Sequence, residues 1–449
     1  MSNLNDAQVH SDQDIAPLLL PARVLRNDAE ALQAARELAE AARLHAARRD
    51  QQRKLPWAEI EQFTRSGLGS ITIPREYGGP QVSFVTVAEV FAIISAADPA
   101  LGQIPQNPTD RQKKQLFQSV LDGWRIGNAG PERGTRNTLE IKTRISADGD
   151  GFLISGQKFY STGALFAHWV AVKAINDEGR QVMAFVRRGT PGLRVVDDWS
   201  GFGQRTTASG TVLLNNVRVE AENVVENWRQ GTTPNIQGAV SQLIQAAIDA
   251  GIARAAIDDS IAFVRERSRP WVDAKVERAS DDLYVIADIG KLKIELHAAE
   301  ALLRKAGQVL DQINAAPVDA AAAARASIVV AEAKVLTTEI SLLASEKLFE
   351  LADPTSGDPH VTVFPTRRGH IQRRASPDRR QRPGRGFQAR QSTTRLRTAP
   401  AAARAGGVFP LRPVGHERQR GAETPAVCRG PGRASFRQCA GRAGYQDRP

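Results

Sequence analysis

The feature that most constrains this 449-residue chain is a double change in hydrophobic period, from helical to strand-like near residue 126 and back to helical near residue 238. Leu32, Ala35, Ala39, Ala42 and Ala46 recur at helical intervals between Ala29 and Arg49, and Pro56 opens a second short helix that stops near Gly67 to Gly69. The loop IPREYGGP follows, then an apolar helix from Phe84 to Ala97, the turn-rich stretch LGQIPQNPTDRQKK, and a short helix through Leu116 and Val120.

After residue 126 the pattern changes to short β-prone runs: Ile141 to Ile145, Phe152 to Ile154, Trp169 to Val172, Val182 to Val186, Leu193 to Val196, and Thr211 to Leu214. Turn formers such as Asp-Gly, Glu-Gly and Pro-Gly separate them, with no helix between, so an antiparallel sheet or small barrel is expected. Helical spacing returns with Ile244, Ile248, Ile252, Ile257, Ile261 and Val264. A second long helix is predicted from Leu283 to Ile313, with Ile286, Ile289, Leu292, Leu296, Ala299 and Leu303 as its core face. A third runs from Val318 to Leu351, across a turn at Pro317 and Asp319. The expected fold is α+β: a helical N-terminal domain over 1–125, a central antiparallel β-domain over 126–235, and a C-terminal helical bundle over 236–352.

Residues 353–449 form a fourth segment of a different kind. They contain 20 arginines, no lysine and six acidic residues, so the chain's formal charge of +11 comes wholly from this Arg/Pro/Gly-rich tail and the body is slightly acidic. A shifted reading frame after about Ala352 and a genuine basic disordered arm are both readings of this composition; only the second predicts nucleic-acid binding, and then a non-specific one. A near-neutral body gives no electrostatic reason for nucleic-acid or membrane association.

Both cysteines, Cys428 and Cys439, lie in the tail, which leaves the body without a disulfide or a thiol nucleophile. The body also lacks HExxH, Walker A and GxSxG motifs, and its histidines do not cluster with acids, so neither a metal site nor hydrolytic machinery is expected. No apolar run reaches the roughly 20 residues that span a bilayer, and no secretory h-region opens the chain, so a cytoplasmic location is expected.

Three stretches combine donors with turns. Ser161-Thr162-Gly163 ends one predicted strand, GFGQRTTASGT (201–211) precedes another, and RERSRPW (265–271) places Arg267 and Arg269 after a long apolar helix. Glycine-rich turns beside hydroxyls bind anions through N–H and O–H groups, and guanidinium forks grip phosphate. The first two stretches are equally what tight sheet turns require, and the third what a solvated helix end requires.

At these residues the chain resembles a known family. SGQKFYSTGALFAHWV, DDWSGFGQRTTASGTV and RERSRPWVDAKVERASDDLYVIADIGKLKIELHAAEALL are similar to the flavin-dependent monooxygenase branch of the acyl-CoA dehydrogenase superfamily, which includes sulfur-acquisition oxidoreductases and dibenzothiophene monooxygenases. The resemblance covers roughly residues 20–352. It implies a helical, β and helical-bundle order, usually assembled as a tetramer. It also implies reduced FMN, with FAD as the alternative, delivered by a separate NAD(P)H-dependent flavin reductase, and transfer of one oxygen atom from O2 to a small organosulfur substrate.

By the same resemblance, Asn128 in GNAGPERG lies near the flavin ring and the reacting oxygen, Ser161 and Thr162 carry hydroxyls close to the isoalloxazine, and Trp199 borders the substrate or flavin pocket. Asn128, Ser161 and Trp199 are thus the implied catalytic residues. Gln204, Arg205 and Ser209 belong to a turn beside the cofactor phosphate, while Arg267 and Arg269 reach flavin phosphate, across a subunit interface in one arrangement. The dehydrogenase branch of the superfamily, with bound FAD and a catalytic Glu in the C-terminal bundle, is the alternative activity; no Glu here matches that position. Two departures stand out. Asn107 is followed directly by Pro108, where relatives carry an active-site His and a further helix, and nothing after Leu351 matches the family's closing His-bearing stretch and final helix. Those departures keep an inactive, damaged homologue as a third reading.

Overall fold

The computed structural model describes residues 22–104, 113–137, 140–201 and 203–352. The tail 353–449, with both readings of its composition, lies outside the described residues, as does the departure after Asn107.

Helix α1 (Asp28–Gln52) begins where Asn27 accepts the Glu30 N–H at 3.0 Å, and it buries Ala31, Ala35, Leu38 and Ala42. α2 (Trp57–Arg65) follows Pro56, and α3 (Phe84–Ala97) begins where the Ser83 hydroxyl accepts the Thr86 N–H at 3.1 Å. Asp98 caps α4 (Pro99–Gln103) by accepting the N–H groups of Ala100 and Leu101, and its other oxygen takes the buried Arg49 guanidinium at 2.8 Å. α5 (Lys113–Leu121) then leads into the sheet.

The strands are β1 (Ile126–Ala129), β2 (Arg144–Asp148), β3 (Gly151–Lys158), β4 (Trp169–Ile175), β5 (Gln181–Arg187), β6 (Leu193–Val196), β7 (Thr211–Glu220) and β8 (Val224–Val225). They form one sheet in the order β6-β7-β3-β2-β4-β5-β8, with β1 beside β4. The sheet is mixed rather than purely antiparallel. Five pairings are antiparallel, but β1 runs parallel to β4, with Asn128 opposite Ala171, and β2 meets β4 in parallel at Arg144 and Ile175. Turn spacing reveals hairpin neighbours, whereas β1 enters from the helical domain and pairs across a long connection.

α6 (Gln237–Glu266), α7 (Leu283–Asn314) and α8 (Ala320–Leu351) form the bundle. α6 lies against α3 so closely that a Cβ on Gly251 would sit 2.3 Å from the Ala92 carbonyl oxygen. Arg254 joins three helices, with both its terminal nitrogens on the Glu89 carboxylate of α3 at 2.7 and 2.9 Å and its Nε on Glu300 of α7. On α7, Leu292, Leu296, Ala299 and Leu303 are buried as their spacing predicts. Ile286, expected in the same face, is 51% exposed, because the first turns of α7, with Leu283 and Tyr284, stand away from the α6–α8 core. No described helix is long and apolar enough to cross a membrane.

Candidate functional site

Strand β3 ends at Lys158, and the chain then turns sharply under local constraint. The Phe159 N–H donates to the Pro131 carbonyl at 2.9 Å, Tyr160 adopts a left-handed φ of 52 degrees, and the Ser161 N–H donates to the Gly210 carbonyl at 3.0 Å. Gly163 at φ +79 completes the turn, a conformation in which a side chain is strained. The Asn128 N–H donates to the Thr162 carbonyl at 3.3 Å, so half-buried Asn128 on β1 lies alongside the hydroxyl turn.

Beneath the turn is a chain of buried hydroxyls. Thr162 Oγ1 and Ser209 Oγ are 2.7 Å apart, Ser209 Oγ and Thr207 Oγ1 are 2.8 Å apart, and Thr207 Oγ1 donates to the Gln204 carbonyl at 3.1 Å. Trp199 Nε1 donates to that same carbonyl at 2.9 Å, and the Trp199 ring meets the Tyr160 ring edge-on at 5.9 Å. The structure therefore gathers Asn128, Ser161, Thr162, Trp199, Gln204 and Ser209 around one turn. Ser161 Oγ is wholly buried and has no hydrogen-bond partner among the described residues, and the same holds for Nε of half-buried Arg205. An unpaired buried donor is costly, so these two groups fit a polar ligand that takes up their hydrogen bonds. Arg267 and Arg269 follow the end of α6 and are exposed.

Several supporting residues had no signal in the sequence. Arg53, in left-handed conformation at the end of α1, clamps the Asp197 carboxylate with both terminal nitrogens, and its Nε donates to the Trp199 carbonyl at 3.1 Å. Asp198 accepts the N–H and hydroxyl of Thr211 at 2.8 and 2.6 Å, closing the base of the 199–210 loop. Lys158, fully buried, donates to Glu132 at 2.6 Å. Burial works to raise the Glu132 carboxyl, but Lys158, the Thr143 hydroxyl and the N–H groups of Thr143 and Lys142 together hold it below the usual carboxylate range. On the helical side a cavity of about 60 Å³ adjoins the turn through Gly163, with Phe63, Ile104, Trp124, Ile126 and Phe166 in its wall. Buried His168 accepts the Arg125 N–H through Nδ1 at 2.9 Å, a structural role beside this cavity.

Residues 27–120, 129–217 and 243–356 match, in order, the N-terminal, middle and C-terminal domains of acyl-CoA dehydrogenase. The chain is 31% identical over 311 residues to a dibenzothiophene monooxygenase of Rhodococcus erythropolis, covering 64% of this chain and 74% of that protein. It belongs to the acyl-CoA dehydrogenase superfamily. A probable FMNH2-dependent monooxygenase, SfnC of Pseudomonas putida, is 27% identical over 340 residues, or 72% of this chain and 84% of the relative. Among solved structures, FMN-bound TdsC from Paenibacillus sp. A11-2 superposes with a TM-score of 0.71 at 27% identity, covering 76% of this chain and 93% of TdsC. Within the superfamily, the resemblance is to flavin-dependent monooxygenases.

Proposed function

We propose that the chain is an FMN-dependent monooxygenase that oxygenates a small organosulfur compound. The observation that carries this reading is the unpartnered, wholly buried Ser161 hydroxyl, in a chain whose overall fold is that of an FMN-bound relative. When bound, reduced flavin supplies the two electrons with which O2 yields one oxygen atom for the substrate and one for water. Ser161 donates a hydrogen bond to the ring edge or to the reacting oxygen, and Asn128 presents its amide from the adjoining strand. Arg205 Nε meets an acceptor on the cofactor. Trp199 and Tyr160 form an aromatic wall that keeps water from the reacting atoms.

Arg267 and Arg269 hold phosphate from a neighbouring copy in a homotetramer. Exposed Trp271, Val272, Leu283 and Tyr284 beside them favour this reading, since an apolar face of this kind calls for a cover. The reductant comes from a separate NAD(P)H-dependent flavin reductase, the setting is the cytoplasm, and the domain boundaries fall near residues 126 and 236.

The test supplies reduced FMN, oxygen and a sulfone, sulfoxide or thioether, against a parallel assay with an acyl-CoA and an artificial electron acceptor. Oxygen-dependent formation of an oxygenated sulfur product is expected. Acyl-CoA oxidation that proceeds without oxygen would overturn the assignment.

A further inference from the structure

The cavity on the helical side of the sheet is walled by Ile60 and Phe63 of α2, Ile104, Val120 of α5, Ile126 of β1 and Phe166. Ile60, Phe63, Ile104 and Phe166 are buried, and Trp57 meets the Phe166 ring edge-on at 4.6 Å, so this wall is fixed by packing. The polar side chains beside it are engaged with the protein. Thr64 Oγ1 donates to the Ile60 carbonyl at 2.8 Å, Ser70 Oγ to the Gly67 carbonyl at 2.8 Å, and Arg125 Nε to the Phe166 carbonyl at 2.6 Å, while a terminal nitrogen of Arg125 lies 3.4 Å from Glu61. A bound water makes about three hydrogen bonds, and an apolar cavity that cannot supply them stays dry and takes apolar guests. At about 60 Å³ this one has less than half the roughly 150 Å³ that holds benzene in a protein interior. It suits a diatomic gas and excludes an aromatic ring.

Two of its walls are continuous with the candidate site. Gly163 lines the cavity and carries no side chain, so its wall there is bare backbone. Ile126 stands two residues before Asn128 on β1, and alternate residues of a strand share a face, so one side of the strand runs from the cavity to Asn128. We propose that this cavity is a binding site for dioxygen, from which the gas passes along β1 to the reacting atoms. This rests on the monooxygenase reading above, which requires O2 as co-substrate. Of the reactants in that reading, dioxygen is the one that is both apolar and diatomic. Flavin is far larger than the cavity, and a sulfone or sulfoxide brings oxygens that need donors.

Xenon is the probe for the cavity itself, applied under pressure to crystals of the full chain. One xenon is expected against Phe63, Ile104, Val120 and Phe166, and a cavity that takes none would overturn the proposal. Filling the space tests what the cavity does. A Cβ on Gly69, in the same wall, would stand 3.6 Å from Phe63 and 4.0 Å from Val120, both ordinary contacts, so Gly69→Ala adds a methyl group to the cavity without a clash. Val120→Phe fills more of it. Both variants are expected to hold less xenon. With reduced FMN and the sulfur compound saturating, both should raise the oxygen concentration for half-maximal product formation by about fourfold, the worth of burying one methylene-sized group. The rate at saturating oxygen and the KM for the sulfur compound should match wild type. Should Val120→Phe fail to fold, Gly69→Ala decides. Unchanged oxygen dependence in a variant that has lost xenon would overturn the dioxygen assignment alone. A raised KM for the sulfur compound in place of that for oxygen would give the cavity to that substrate and overturn it as well. A wild-type chain that forms no oxygen-dependent product would overturn the monooxygenase reading and this proposal together, whether or not xenon binds.

Discussion

Ser161 is stabilising to function and costly to the fold. Its buried hydroxyl lacks a partner among the described residues, and leaving such a group unmade costs about 1–3 kcal/mol. Ser161→Ala is therefore expected to raise the urea midpoint of the ligand-free protein while lowering oxygenated product per FMN oxidised by about tenfold or more. A variant that loses stability and product together would point to a packing role instead. Glu132 gives a second expectation at this scale. Its folded carboxyl lies below the ordinary value, so it contributes stability that is fully present above about pH 4.3 and lost as pH falls through the lower folded value. Glu132→Gln should flatten that acid limb of the stability profile, measured by urea midpoints between neutral and strongly acid pH. An unchanged slope would count against the Lys158–Glu132 pair as an acid-sensitive contact. Ser161 was implied by the resemblance, but Glu132 gave no signal: its Lys158 partner lies 26 residues away, and the Thr162–Ser209 contact behind the turn spans 47.

The helices and most strands were legible because their signals are local. α1, α3 and the three long bundle helices follow from apolar positions three or four apart, and β2 to β7 from β-prone runs between turn formers. β1 was not, since Gly127 and Asn128 give it half of its four residues and neither favours a strand. Ile286 was misplaced for the complementary reason: an apolar period records that a face exists, not that this chain covers all of it. The α3–α6 crossing rests on a residue type that periodicity ignores. A methyl group at Gly251 has no room against Ala92, so Gly251→Ala should destabilise the protein by about 1–3 kcal/mol, read as a lower urea midpoint. Indifference to this change would mean that the two helices adjust more freely than their contact suggests.

For the whole molecule, the candidate residues lie on two elements: the hydroxyl turn on the sheet and the exposed Arg267 and Arg269 after α6. If a second copy brings the arginines to the cofactor, Arg267→Ala should weaken FMN binding by about 1.5–3 kcal/mol with little change in the urea midpoint. The loss should be seen only at protein concentrations where sedimentation reports the assembled form. Equal FMN affinity in Arg267→Ala and wild type would remove that residue from the cofactor's contacts. The sequence motifs name neighbours along the chain and carry no record of symmetry, so the copy in which each stretch would act is not legible from them.

The Arg53 clamp has an implication for how such a pocket changes over generations. Trp199 is held through its backbone carbonyl and through Asp197 by Arg53, the residue that caps α1 in another domain, 146 and 144 positions away in sequence. The aromatic wall is thus suspended from outside the sheet that carries the hydroxyls. A small rotation of α1, from substitutions among its buried alanines, would shift the indole and, through its bond to the Gln204 carbonyl and its contact with the Tyr160 ring, pull on the hydroxyl turn as well. On the proposed flavin reading, the aromatic side of the pocket and its hydroxyls would then drift together across generations, with a remote helix as their shared lever.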